Sequence, residues 1–160
     1  ITLIMAKLLI IYPNLDTFGR QSIPTALISS LLKKNNHEVD LFDTVFLDIK
    51  HFYNKEHTHE ELFKMFNVFK KVDYSHLGLE KQTTNAIKLL NNKIENFKPD
   101  LITFSFWGSH LHAEGEFHAY FYALKLIELS NTKNIPIVVG GTVPTWNTEE
   151  VLLHHKINYV

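Results

Sequence analysis

Ile135-Pro136-Ile137-Val138-Val139-Gly140-Gly141-Thr142-Val143-Pro144-Thr145 is an apolar run that stops on two consecutive glycines and continues into small and polar residues. Such a run reads as a strand covered on both faces, which is how strands of a parallel sheet read. Paired glycines at its end imply a close approach to the backbone, by either a neighbouring chain segment or a ligand.

Further strands lie upstream. Lys7 to Tyr12 (KLLIIY) is continuously apolar, and so is Leu101 to Phe106 (LITFSF), which Lys98-Pro99-Asp100 introduces. Glu38 to Asp43 (EVDLFD) alternates and reads as a strand nearer an edge. Helical periodicity fills the gaps. Ser22 is a good N-cap with Pro24 in the first turn, Ala26, Leu27, Ile28, Leu31 and Leu32 form an apolar stripe, and Asn35-Asn36 is a stop. Glu60 to Lys71 places Leu62, Phe63, Phe66 and Phe69 on one side, and Thr84 to Phe97 does the same with Ile87, Leu90, Ile94 and Phe97. Val72 to Gln82 between them reads as loop, so 44–98 is expected to be a helical insertion. Glu114 to Leu129 predicts another amphipathic helix, Glu149 to His154 starts one more, and Asn158-Tyr159-Val160 begins a fifth strand.

Strands alternating with helices predict an α/β fold, a doubly wound, flavodoxin-like or Rossmann-like parallel sheet. Its commonest five-strand order is 2-1-3-4-5, with a switch point between the first and third strands. The loops following the first, third and fourth predicted strands then share one rim: Pro13 to Gln21, Phe106 to Leu111 and Gly140 to Thr145. Residues 1–160 are expected to form a single domain, a fragment of a longer enzyme, because Ile157-Asn158-Tyr159-Val160 reads like a strand only just begun.

Composition narrows the function. The net charge is −1, which provides no basic field for nucleic acid or an anionic membrane. Zero cysteines exclude disulfides, thiolate metal sites, iron–sulfur ligation and a cysteine nucleophile within these residues. The opening ITLIMAKLLIIY is too short for a membrane span, with Lys7 inside it and Pro13 ending it. Neither a nucleophile elbow, a Walker loop nor a dinucleotide fingerprint occurs, and Glu149-Glu150 reads as a helix first turn. No catalytic residue is expected here. Among the ten histidines, His57/His59 and His110/His112 are spaced two apart without a third ligand at recognisable spacing, so no metal site is expected.

On the rim, Ser105, Trp107, Gly108 and Ser109 follow the third strand, and Gly19-Arg20 lies in the first loop. Serine hydroxyls there can bind a heteroaromatic ring or a phosphate; they can equally satisfy loop backbone groups. Gly140-Gly141 can likewise be a tight strand-to-helix turn. It is the convergence of three such loops, where open α/β sheets bind ligands, that points to a site.

Several stretches resemble the cobalamin-binding domains found N-terminal to radical S-adenosylmethionine enzymes. "IPTALISSLLKKNNHEVDLFDT" is similar to that family's first helix and second strand, with Asn36 replacing a glycine before His37-Glu38-Val39, and with Asp43 at the strand end. "KPDLITFSFWGS" is similar to its proline–aspartate strand ending in serine, and "IPIVVGGTVPTWNTEEVL" to its strand, double glycine and following helix. "INYV" is similar to the start of its last strand. The resemblance implies a cobalamin site made by Arg20, Gln21, Ser22, Ile23, Ser105, Trp107, Gly108, Ser109, Gly140, Gly141, Thr142 and Val143.

In that arrangement the nucleotide tail would enter at the switch point. Ser105 and Ser109 would lie near the dimethylbenzimidazole, Gly140 and Gly141 would admit the tail, and the corrin would lie against Arg20 to Ile23. Gln21 stands where methyltransferase and mutase relatives carry the cobalt-ligating histidine, so no protein histidine on cobalt is expected. The resemblance further implies a cytoplasmic protein with a radical S-adenosylmethionine domain C-terminal to this module. S-adenosylmethionine and a 4Fe–4S cluster would be bound only there. Neither nucleic acid nor membrane is an expected partner. The alternative from the residues alone is a flavodoxin-like interaction or regulatory module without a ligand. Flavin binding would want a serine- and threonine-rich phosphate loop after the first strand, and receiver-type signalling an acidic pair where Tyr12-Pro13 stands.

Overall fold

The computed structural model describes residues 5–13, 22–45, 47–48, 75–78, 82–106, 115–132 and 134–160. Strand β1 (Lys7–Tyr12) leads to α1 (Ile23–Lys34), β2 (Glu38–Asp43) and the two-residue β3 (Leu47–Asp48). A 3-10 turn (Ser75–Leu77) precedes β4 (Gln82–Asn85), α2 (Ala86–Phe97) and β5 (Leu101–Phe106). Helix α3 (Gly115–Leu129), β6 (Ile137–Gly141), α4 (Thr142–Trp146) and α5 (Thr148–Leu152) complete the order.

The main sheet is parallel throughout, in the order β2-β1-β5-β6. Counting only its own strands, that order is 2-1-3-4, a flavodoxin-like arrangement. A fifth strand does not form among the described residues. Tyr159 makes a single parallel bridge to Val138 instead. The expected helical insertion also differs. Its first helix, Glu60 to Lys71, lies outside the described residues, and its second is α2, the crossover between β2 and β5. A small parallel sheet pairs β3 with β4, which the sequence did not suggest because two residues carry no periodicity.

One face of the main sheet carries the core. Leu9, Ile11, Ile102, Phe104, Phe106, Ile137 and Val139 pack against Leu90 and Ile94 of α2 and Tyr122, Leu126 and Ile127 of α3. Phe104 and Phe106 meet edge-on at 6.1 Å, and Phe106 meets Tyr120 edge-on at 5.7 Å. Burying side chains of this size contributes roughly 1.5–3 kcal/mol each, which offsets the entropy of ordering the chain. Alternation along β5 leaves Leu101, Thr103 and Ser105 half-buried on the other face.

A right-handed crossover from β1 to β2 puts α1 on that second face. Its ends follow the sequence closely. Ser22 caps it by accepting from the Thr25 amide at 3.2 Å. At its end Asn36 takes the left-handed conformation at φ 63°, while the Asn36 amide donates to Lys33 and the His37 amide to Leu32. Asparagine tolerates that conformation better than most residues, so it can replace a glycine there. The apolar stripe expected to face the sheet does not. Thr25 is buried, whereas Leu27 and Leu31 are 66% and 61% exposed and Ile28 is exposed as well. The helix is apolar on more than one side, and its capped first turn sets Thr25 inward.

Residues at the amino end of the sheet are densely tied. Asp100 accepts from the Lys7 amide at 2.7 Å and returns its own amide to the Lys7 carbonyl at 2.8 Å. His37 Nδ1 accepts from the Ala6 amide, and Lys7 pairs with Glu38 at 3.1 Å. Among the described residues no helix is long and apolar enough to cross a membrane.

Candidate functional site

The strand order reverses between the carboxyl ends of β1 and β5, with β6 next to β5, since the chain goes from β1 to β2 on one side and then crosses to β5 on the other. That crevice is the usual ligand site of an open α/β sheet. Of the predicted site residues, Arg20, Gln21, Trp107, Gly108 and Ser109 lie outside the described residues. Ser22 and Ile23 open α1, Ser105 lies near the end of β5, Gly140 and Gly141 end β6, and Thr142 and Val143 begin α4.

Ser105 and Gly140 are direct neighbours across the β5–β6 ladder, as are Phe106 and Gly141. Residues opposite one another in a parallel pair share a face, so Ser105 and Gly140 belong to the second face, the one α2 and α3 leave free. Ser105 is half-buried, and its hydroxyl makes no hydrogen bond among the described residues. A methyl added at Gly140 would meet nothing within 4 Å. The half-buried Ser105 hydroxyl and the exposed Gly140 backbone thus lie side by side and mark a slot on this face.

Gly141 serves a different purpose. Its φ of 122° is one that side-chain-bearing residues rarely adopt, and a Cβ there would lie 1.8 Å from the Phe106 carbonyl oxygen. The paired glycines therefore differ. Gly141 makes way for the neighbouring strand, whereas at Gly140 no neighbour within 4 Å demands a glycine.

The flanks are set by short local bonds. Ser22 Oγ accepts from both the amide and the hydroxyl of Thr25, the latter at 2.7 Å. Ile23 is 71% exposed at the start of α1. Val143 is half-buried against the core, whereas Thr142 is exposed. Thr145 donates to the Gly141 carbonyl at 2.7 Å and so holds the strand-to-helix turn. On the β1 side Tyr12 is buried, and Thr44 donates to its carbonyl. Burial pushes the Tyr122 phenol well above its ordinary pKa, so it stays neutral beneath the rim.

The motif residues have mixed roles. His37, Glu38 and Asp100, on which the resemblance partly rests, tie the amino end of the sheet and lie far from the slot. Asp43 caps a turn by accepting from the Val45 amide at 2.9 Å. The structure also brings together Glu128, His154 and His155, a set that sequence spacing did not suggest. Only the adjacency of His154 and His155 is visible in the sequence, and their partner comes from a distant helix.

No family model matches the chain, and no curated protein is similar to it.

Proposed function

We propose that this chain is the cobalamin-binding module of a cobalamin-dependent radical S-adenosylmethionine enzyme. The observation that carries the reading is the slot on the β5–β6 ladder, one strand from the switch point: the Ser105 hydroxyl, without a partner among the described residues, beside Gly140, where a Cβ would meet nothing within 4 Å. A flat heteroaromatic group needs a polar contact at one edge and backbone it can approach closely, and Ser105 and Gly140 supply one each. Exposed Ile23 at the mouth offers an apolar contact for a corrin edge, and the Ser22 hydroxyl offers a polar one.

Cobalamin would supply the cobalt-centred group-transfer chemistry, for methyl transfer or a related radical reaction. The residues of this chain bind and orient it. Arg20, Gln21, Trp107, Gly108 and Ser109 belong to the loops expected to complete the site, and with Gln21 in the histidine position no histidine of this loop would hold the cobalt. S-adenosylmethionine and the 4Fe–4S cluster belong to a further domain of the same polypeptide. The chain alone is then not catalytic.

The second reading is a flavodoxin-like interaction module without a ligand. Leu27, Ile28 and Leu31, exposed along α1, favour it. A calorimetric titration with hydroxocobalamin separates the two. The cofactor reading expects one equivalent bound with a Kd of about 10 μM or tighter, a visible spectrum without histidine ligation, and loss of binding in Gly140→Trp. Absence of binding in the wild-type chain and in a version extended beyond Val160 would leave the interaction module as the better account.

A further inference from the structure

At the amino end of the sheet, opposite the slot, α3 and the turn after α5 bring three metal-ligating side chains to one point. Helix α3 starts beyond the carboxyl end of β5 and returns toward the start of β6, so Glu128 in its last turn arrives at the opposite end from Gly140. His154 and His155 come from the turn that connects α5 to Ile157. That turn is anchored on both sides, with Val151 fully buried before it and Ile157 buried after it. The His154 amide donates to Val151 and the Ile157 amide to His154. Lys156 reaches over to donate to the carbonyls of Ile127 and Glu128, which fastens the turn to the end of α3.

The resulting geometry is tight. His154 Nε2 lies 3.6 Å and His155 Nε2 3.8 Å from the same Glu128 oxygen, Oε2. All three ligand atoms fall within 4.8 Å of one another. Neighbouring ligands of a tetrahedral zinc site, with bonds of about 2.0–2.1 Å, stand roughly 3.3 Å apart, close to the two carboxylate–imidazole distances here. The two imidazoles are stacked at 5.1 Å and 11°, and one ion cannot lie in both parallel ring planes, so one ring must tip. His155, 72% exposed on its side chain, is free to do so, while His154 is held in the turn. A metal on His154 Nε2 replaces the bond that Nδ1 accepts from the Lys156 amide. Because the Lys156 ammonium is directed to the two backbone carbonyls, the Glu128 carboxylate is left to the histidines.

We propose that Glu128, His154 and His155 form a binding site for a divalent transition-metal ion of the zinc class. Two imidazole nitrogens and one carboxylate suit Zn²⁺, Co²⁺, Ni²⁺ or Cu²⁺, whereas Mg²⁺ and Ca²⁺ want oxygen donors throughout. Three protein ligands leave at least one position to water or to a ligand from outside, which is the open form of a zinc site and not the closed structural form. The site is independent of the cobalamin reading, because it uses other residues at the other end of the sheet.

The test is a titration of the full chain with Zn²⁺ by calorimetry and with Co²⁺ by visible absorption. One equivalent of Zn²⁺ should bind with a Kd in the micromolar range, and Co²⁺ should show the intense visible bands of a low-coordinate site. That equivalent should weaken at least tenfold in Glu128→Gln and in His155→Gln, and remain in His76→Gln, a change at a distant exposed histidine. His155 is too exposed for its replacement to cost the fold, and unchanged far-UV circular dichroism would verify this. Zn²⁺ binding that is absent at 100-fold excess, or that His155→Gln and Glu128→Gln leave unaltered, would overturn the proposal.

Discussion

The two ends of the main sheet are built on opposite plans. At the amino end, Asp100, Lys7, His37 and Glu38 bind β1, β2 and the start of β5 to one another through side-chain and backbone hydrogen bonds. At the carboxyl end, Ser105 carries a hydroxyl without a partner among the described residues, Gly140 faces open space, and Ile23 is exposed. A parallel sheet must send its connections over the carboxyl rim, where the first turns of α1 and α4 begin. Among the described residues, side-chain bonds between neighbouring strands concentrate at the amino end, whereas the loops of the carboxyl rim are where such frames present ligand sites.

Substitutions at the two ends should therefore break different things. The largest effect is expected where the rim touches the frame. Gly141→Ala drives a Cβ into the Phe106 carbonyl and forces a residue with a side chain into φ 122°, and should cost about 3–5 kcal/mol. Urea unfolding would measure it. Gly140→Ala, one residue away, should change stability by no more than about 0.5 kcal/mol, because an added Cβ meets nothing within 4 Å. Equal losses at the two positions would refute the division of labour between the glycines.

At the amino end, Asp100→Ala removes the acceptor of the Lys7 amide and should cost about 1–2 kcal/mol in the same assay, with no change in ligand affinity. Ser22→Ala removes the α1 cap at the rim and should cost about 1 kcal/mol. It should also weaken ligand binding, and that pairing would distinguish the rim from the frame. The smallest expected effect is a gain. Lys98 ends α2 in a left-handed conformation at φ 51°, so Lys98→Gly should stabilise the chain by about 0.5–1 kcal/mol, read as a raised thermal midpoint.

The frame was largely legible in the sequence because its signals are local. Continuous apolar runs announced β1, β5 and β6, and Ser22 and Asn35-Asn36 marked the ends of α1 to the residue. The orientation of α1 was not legible. A helix with apolar residues on several sides gives no single buried face, and Thr25 was an unexpected choice to point inward. Strands β3 and β4 were too short for any period to show. Of the site, the slot pairing Ser105 with Gly140 depends on strand order and register, so it could be anticipated as a rim and not as a contact. The separate reason for Gly141 needed the Phe106 backbone in place. The Glu128–His154–His155 cluster was out of reach, since its members meet only after α3 and α5 have packed.

The most direct measurement is backbone hydrogen exchange on the chain with and without saturating hydroxocobalamin. The account predicts slowed exchange at the carboxyl rim, at Ile23 to Ala26, Phe106 and Gly140 to Val143, with no change at Ala6, Lys7, His37 and Asp100. No protection anywhere, or protection at the amino end with the rim unaltered, would contradict it.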